Sequence, residues 1–281
     1  MALTLTGLNR YPVKSCRGEA VAAATVEPWG LLGDRRWMIV DDLGETVTAR
    51  EHPRMLLIEP ELVDGGLRVS SPDVEPLFVP TPTEPTIDVT VFKRLAFAVT
   101  LADDTANAWF SKVVGESVRL VYGDDPTRRP TNRAFTQDGD CVSFADGYPI
   151  LLTTEDSLAQ LNEWIAAGPM ADQGPLPMRR FRPNVVVAGA PAFDEDHWRR
   201  IRIGEATFRT PKGCDRCVIT TTDPDTAARG KEPLATLARH RRWDGATWFA
   251  MNVVPDNPGA VIRVGDEVEV LERVESDGPP R

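Results

Sequence analysis

Pro211-Lys212-Gly213-Cys214-Asp215-Arg216-Cys217-Val218-Ile219-Thr220-Thr221-Thr222-Asp223-Pro224-Asp225 sets two thiols three residues apart, each with a cation next to it in the chain, where an apolar, β-branched run begins. A thiol acts as nucleophile or metal ligand only as the thiolate, and a neighbouring Lys or Arg favours that form, so Lys212 and Arg216 mark these sulfurs as candidates for chemistry. The alternative is two small, partly buried side chains at the head of a strand. A thioredoxin-like redox pair is excluded, because it would open a helix, whereas Val218–Thr221 reads as a strand. Structural zinc wants four ligands, and one Cys-x-x-Cys with three dispersed histidines (His52, His197, His240) does not supply them. A single soft thiolate suits a higher-valent transition metal brought in by an organic cofactor.

Outward from this stretch, the chain alternates short apolar runs with turn residues. Strands are expected at Leu3 to Pro12, Ala20 to Val26, Arg35 to Val40, Thr46 to Thr48, Met55 to Ile58, Glu61 to Val63 and Leu67 to Val69. Pro72 to Pro85 is too rich in proline for helix and is expected at an edge or in a loop. Strands resume at Thr86 to Val91, Leu95 to Val99 and Val118 to Tyr122, then at Tyr148 to Thr153, Val185 to Val187, Trp198 to Ile203, Ala206 to Arg209, Val218 to Thr221, Met251 to Val254, Ala260 to Val264 and Val268 to Leu271. Three helices are expected: Ala106 to Val114 capped by Asp103-Asp104-Thr105 and stopped by Gly115, Leu158 to Ala167 behind a Ser or Thr cap, and Leu234 to Arg239. The polar, proline-bearing stretch 123–133 is a candidate boundary, and the tail 275–281 is expected to fray.

With 281 residues, 42% hydrophobic and 26% charged, the chain can bury a sizeable core of one large or two moderate domains. A net charge of −10 argues against nonspecific binding to nucleic acid or to anionic membrane. No run approaches the roughly 18 apolar residues of a membrane span. Four scattered cysteines do not form a secreted disulfide framework, so reduced thiols and a cytoplasmic protein are expected. In so acidic a chain, Lys14-Ser15, Arg35-Arg36 and Arg180 with Arg182 each stand at a strand–loop junction. Brought together they would bind phosphate through Arg forks and a hydroxyl; left apart they are three solvated basic spots.

Tyr11-Pro12-Val13-Lys14-Ser15-Cys16-Arg17-Gly18, Gly33-Asp34-Arg35-Arg36-Trp37, Val47-Thr48-Ala49-Arg50 with Pro53-Arg54, Phe181-Arg182-Pro183-Asn184, Arg216-Cys217 with Thr220-Thr221, and Asn257-Pro258-Gly259 follow one another over nearly the whole chain. In this order they resemble the MOSC family of molybdenum-cofactor proteins with its N-terminal β-barrel module, most closely the amidoxime-reducing branch. The resemblance implies a mixed α/β, predominantly β fold: an N-terminal β-barrel module over 1–122, a MOSC β-barrel domain over 130–274, and the cofactor in the cleft between. It implies that Cys217 ligates molybdenum and that Lys14, Ser15, Arg35, Arg36, Arg182 and Asn184 hold the molybdopterin and its phosphate, assisted by main chain near Gly147 and Tyr148. Arg50, Arg54 and Asp215 are then candidates beside the substrate, and Cys214 is supporting. The implied activity is reduction of N-hydroxylated or N-oxide compounds by a monomer. No N-terminal membrane anchor, iron–sulfur cysteine cluster or pyridoxal-phosphate lyase domain is matched, so electrons are expected from separate proteins. The competing expectation is a carrier of sulfur or of the cofactor, working through Cys217 as a low-pKa thiolate.

Overall fold

A closed ring of seven strands organises the structure, a computed structural model that describes residues 2–94 and 96–275. The strands are β1 (Leu3–Arg10), β2 (Ile150–Thr154), β3 (Val185–Ala188), β4 (Trp198–Ile203), β5 (Ala206–Asp215), β6 (Ala246–Pro255) and β7 (Glu267–Arg273). Their order around the barrel is β2, β3, β1, β7, β4, β5, β6, and β6 pairs back onto β2. Only β2 and β3 run parallel. Such a pair needs a crossover, and helix α2 (Glu155–Ala166) lies on the connection between them. Alternation sends Ala206, Phe208 and Thr210 of β5 inward, where they join Leu5, Leu8, Trp198, Ile201 and Val253.

The chain between residues 32 and 130 builds a second β body. One sheet runs Trp37–Val40, Arg119–Tyr122, Phe97–Leu101, Thr86–Val89; another holds Glu59–Val63, Gly66–Ser71 and Val74–Pro80. Helix α1 (Asp104–Val114) covers them and buries Trp109, Phe110 and Val113. Its ends are local chemistry: the Asp103 carboxylate accepts from the Ala106 amide at 2.8 Å, and Gly115 closes it at φ 91°. The third helix is α3 (Leu234–His240). The beginning of the chain is not confined to this second body. β1 lies between β3 and β7, and Ala23–Glu27 pairs with Val261–Arg263.

The fold is predominantly β with a few short helices, as the pattern implied, but several elements differ. Val218–Thr221 is a 3-10 turn and not a strand. The Thr220 and Thr221 hydroxyls donate to the carbonyls three residues back (2.9 and 2.8 Å), which stabilises the turn against extended pairing. β5 instead runs on to Asp215 and carries Cys214 within it. Met55–Ile58 falls in a 3-10 turn (Pro53–Leu57) started by Pro53, and Thr46–Thr48 makes only an isolated bridge from Thr46 to Val40. Ala20–Val26 is broken in two, Glu19–Ala20 and Ala23–Glu27. The proline-rich stretch does contain a strand, Val74–Pro80, at the edge where missing N–H donors cost no ladder bond. Residue 95, at the head of an expected strand, and nearly all of the expected frayed tail (276–281) lie outside the described residues.

Candidate active site

The loop after β1 crosses the mouth of the barrel and is stitched to the second body: the Lys14 amide donates to the Trp37 carbonyl (2.8 Å) and the Arg35 amide to the Tyr11 carbonyl (2.7 Å). Three residues here adopt left-handed backbone although none is glycine: Ser15 (φ 68°), Arg35 (φ 49°) and Arg182 (φ 56°). Such conformations cost energy and persist where surroundings hold side chains to a task. They turn their side chains toward a cleft of about 140 Å³ also lined by Lys14, Arg50, Asp146, Gly147, Tyr148, Asn184, Cys214, Asp215 and Cys217. The three basic spots of the sequence thus meet, through Lys14, Arg35 and Arg182.

Tyr11 is the spacer between two of these cations. Its ring lies 4.5 Å from the Arg35 guanidinium and 4.4 Å from that of Arg182, and its hydroxyl donates to the Pro183 carbonyl at 3.1 Å. Burial, only partly offset by Arg182 and Arg35, pushes this phenol up to about 12. Asp34 fastens the group. One oxygen accepts from the Tyr11 amide (2.8 Å) and from Asn184 Nδ2 (3.0 Å), the other from Arg35 Nη1 (2.6 Å). The Asn184 carbonyl oxygen also accepts from Arg35 (3.0 Å) and from the Leu151 amide (3.2 Å), and its amide nitrogen donates as well to the Asn9 carbonyl (3.1 Å). With its side chain spent inside the protein, Asn184 aims Arg35. Arg182 donates Nη1 to the Cys16 carbonyl (2.7 Å), while its Nη2 is buried with no hydrogen-bond partner among the described residues.

On the facing wall, Asp146 bridges Lys14 and Arg50. Arg50 Nη2 is 2.6 Å from Asp146 Oδ2, and Lys14 Nζ bonds Oδ1 and donates to the Phe144 carbonyl at 2.8 Å. Burial opposes charge on Asp146, but Lys14 and Arg50 outweigh it and hold the carboxyl below the usual range. Burial brings Lys14 down to about 8, with Asp146 resisting. Arg50 Nε then donates to Cys217 Sγ at 3.4 Å. The Phe92 ring caps both cations, 5.0 Å from Lys14 Nζ and 4.8 Å from the Arg50 guanidinium.

The cations that neighbour the thiols in space are therefore not both those that neighbour them in the chain. Arg216 does serve Cys214, at 3.0 Å, and donates to the Phe181 carbonyl. Lys212 instead lies over Phe135 and Trp248, and the cation at Cys217 comes from Arg50. Burial raises the Cys214 thiol despite Arg216. Arg36 does not line the cleft: it packs over Trp29 and Tyr122 and donates to the Gly123 carbonyl (2.9 Å). Arg54 pairs with Asp73 on the exposed surface. Sequence reasoning passed over Asp34, Asp146, Tyr11 and Arg129 as site residues. Arg129 ties down the loop before Gly147 through the Ser143, Ala145 and Asp146 carbonyls. The only signal for Asp146 was its place next to Gly147.

A thiol with a cation beside it, facing phosphate-sized cations that include a buried, unpartnered Arg182 nitrogen, fits an anionic, phosphorylated cofactor whose metal takes a sulfur ligand. Among family models, MOSC N-terminal beta barrel domain matches residues 2–117 and MOSC domain matches residues 140–269. Mitochondrial amidoxime-reducing component 1 of Mus musculus is 33% identical, over 95% of this chain and 82% of that protein. Mitochondrial amidoxime reducing component 2 of Rattus norvegicus is 33% identical, over 92% of this chain and 80% of that protein. Molybdenum cofactor sulfurase of Oryza sativa subsp. japonica is 32% identical over 86% of this chain, which spans only 31% of that longer protein. The chain belongs to the MOSC family, with the N-terminal β-barrel domain of that family ahead of its MOSC domain.

Proposed function

We propose that the protein is a molybdenum-cofactor-dependent oxidoreductase that removes oxygen from N-hydroxylated or N-oxide compounds, using two electrons from a separate donor protein and two protons to release water. The observation that carries this reading is Cys217, its sulfur 3.4 Å from Arg50 Nε in a cleft whose other walls present Lys14, Arg35 and Arg182. When bound, the cofactor supplies the two-electron centre. Cys217, as thiolate, would be the protein ligand to molybdenum, and Arg50 favours the thiolate by donating to it. Lys14, Ser15, Arg35 and Arg182 would hold the pterin and its phosphate, with Asn184 keeping Arg35 in line and main chain at Gly147 and Tyr148 assisting. Asp146, held ionised by two cations, is a poor proton donor at neutral pH; Lys14 Nζ, near 8, is matched to that task. Asp215 is exposed at the rim, and burial with Asp215 nearby keeps the Tyr148 phenol protonated, up to about 12.

We infer further that 1–122, apart from β1, which the barrel takes, and 130–274 act as two domains with this cleft between them, and that the protein works as a monomer in the cytoplasm. Among the described residues no helix is long and apolar enough to cross a membrane. The test is expression in a host that makes molybdopterin, followed by metal analysis and reduction of benzamidoxime with an artificial one-electron donor. Wild type should hold stoichiometric molybdenum through turnover, and Cys217→Ala should lose both metal and activity. A Cys217→Ala variant with full activity would remove Cys217 as ligand. Cyanide-labile sulfur on metal-free, inactive protein would favour a carrier of sulfur, the alternative to which the sulfurase relative points.

A further inference from the structure

A second pocket opens behind the wall formed by Asp146 and Gly147. These two residues line both spaces; the second is lined besides by apolar Val91, Phe97, Pro130 and Val142, by Thr131 and Asn132, and by three cations, Arg94, Arg128 and Arg129. Its volume, about 150 Å³, is on the order of what a benzene ring fills. The charges are unequally compensated. Arg128 is paired with Asp124 (2.9 Å). Among the described residues Arg129 has no carboxylate hydrogen-bonded to it, although the charge of Asp146 acts on it, and it spends Nη1 and Nη2 on main-chain oxygens while Nε makes no such bond. Arg94 forms no ion pair or hydrogen bond among the described residues, and its charge bears on Arg129, which burial has already brought down to about 10. Two guanidiniums that repel one another while lining one pocket, one of them exposed, are well placed to share an anion.

The backbone points the same way. The turn that carries Arg94 has two successive non-glycine residues in the left-handed region, Phe92 (φ 58°) and Lys93 (φ 54°). Phe92 caps the cations of the reaction cleft, while Val91 and Arg94 line the second pocket, so one strained turn serves both spaces.

We propose that this second pocket is the specificity subsite for the body of the substrate, selecting N-oxygenated compounds whose apolar, ring-sized body ends in a carboxylate held between Arg94 and Arg129. The proposal rests on the reductase reading, since the N–O end would extend past Asp146 toward Cys217. Two measurements separate the two ideas. In calorimetry on the protein as purified, 4-carbamoylbenzoate should bind about tenfold more tightly than benzamide, and Arg94→Ala and Arg94→Glu should abolish the difference. In turnover, the ratio of kcat/KM for 4-carboxybenzamidoxime to that for benzamidoxime should fall about tenfold in the same variants, with partial recovery in Arg94→Lys. Equal binding of the two amides by wild type, or variants that keep the wild-type preference, would overturn the subsite. If neither amidoxime is reduced by metal-loaded protein, the reductase reading fails, and the binding comparison still decides whether the pocket takes a carboxylate.

Discussion

Lys14 is the residue whose charge the site can lose within reach of ordinary buffers. Burial brings it down to about 8 against Asp146, so it is a cation below that pH and neutral above it. Arg35 beside it keeps its charge throughout: burial disfavours that charge, but Asp34 more than compensates. Sulfate, whose own charge is constant across the range, is therefore expected to bind the cleft several-fold more weakly as pH rises through about 8. In Lys14→Arg that step should vanish, because a guanidinium does not titrate there. A titration of sulfate affinity from pH 6.5 to 9.5 checks this; an identical step in the variant would assign it to another group. Lys14 and Arg35 were legible as candidates from their strand–loop junctions. What local sequence does not contain is Tyr11 holding Arg35 and Arg182 on its two faces, since the partners are brought together by tertiary structure alone. Asp146 was missed for the same reason: a single Asp in a polar loop is ordinary until Lys14 and Arg50 converge on it.

Among the elements, α2 shows how a cap legible in sequence conceals a titratable group. The Thr154 hydroxyl accepts from the Ser157 amide at 3.1 Å, the cap that the Ser or Thr pattern announced. Glu195, fully buried and distant in sequence, then accepts from the Ser157 hydroxyl (2.8 Å) and the Thr154 hydroxyl (3.1 Å). Burial first, and Asp196 second, raise this carboxyl from 4.5 to about 7. The folded protein thus keeps a proton that the unfolded chain releases, so this group's stabilising contribution is full below about 4.5 and is lost as pH rises to about 7. Glu195→Gln is expected to be more stable than wild type above pH 7 by up to about 3 kcal/mol, with the difference fading toward pH 4.5. Denaturant unfolding at pH 5 and pH 8 measures it, and a variant less stable at both would sink the argument. α1 was readable to within two residues at its start, Asp104 where Ala106 was expected, because its acidic cap and Gly115 are local signals. Val218–Thr221 was not, because β-branched composition favours a strand in general while its own threonine hydroxyls favour the turn here.

The whole molecule depends on a strand borrowed from the far end of the chain. β1 fills the gap between β3 and β7, and its Leu5 and Leu8 are 0% and 1% exposed. At about 2–3 kcal/mol for each buried leucine, these two contribute on the order of 5 kcal/mol, comparable to the total stability of many domains. Residues 130–275 expressed alone are therefore expected to show no cooperative unfolding transition by circular dichroism, and co-expression with residues 1–31 should restore one. A cooperative transition in the isolated segment would show that the barrel closes without β1. The β character and the approximate strand positions were legible from turn residues and alternation. Barrel closure was implied by the family resemblance and not by these local signals, because pairings such as Leu5 with Val187 are long-range and leave no local mark.

This closure also sets an order of events in the cell. β1 is made long before β3, and Leu8 must wait for Val185 to be made before it has that partner. Lys14 lies four residues after that strand and Arg182 three before β3, so the two cations that line the cleft are brought together by the same late step. A nascent chain halted short of residue 185 should accordingly bind no cofactor. On the function proposed above, the cofactor would find its binding residues assembled only once the chain has passed residue 185 and β3 has docked on β1.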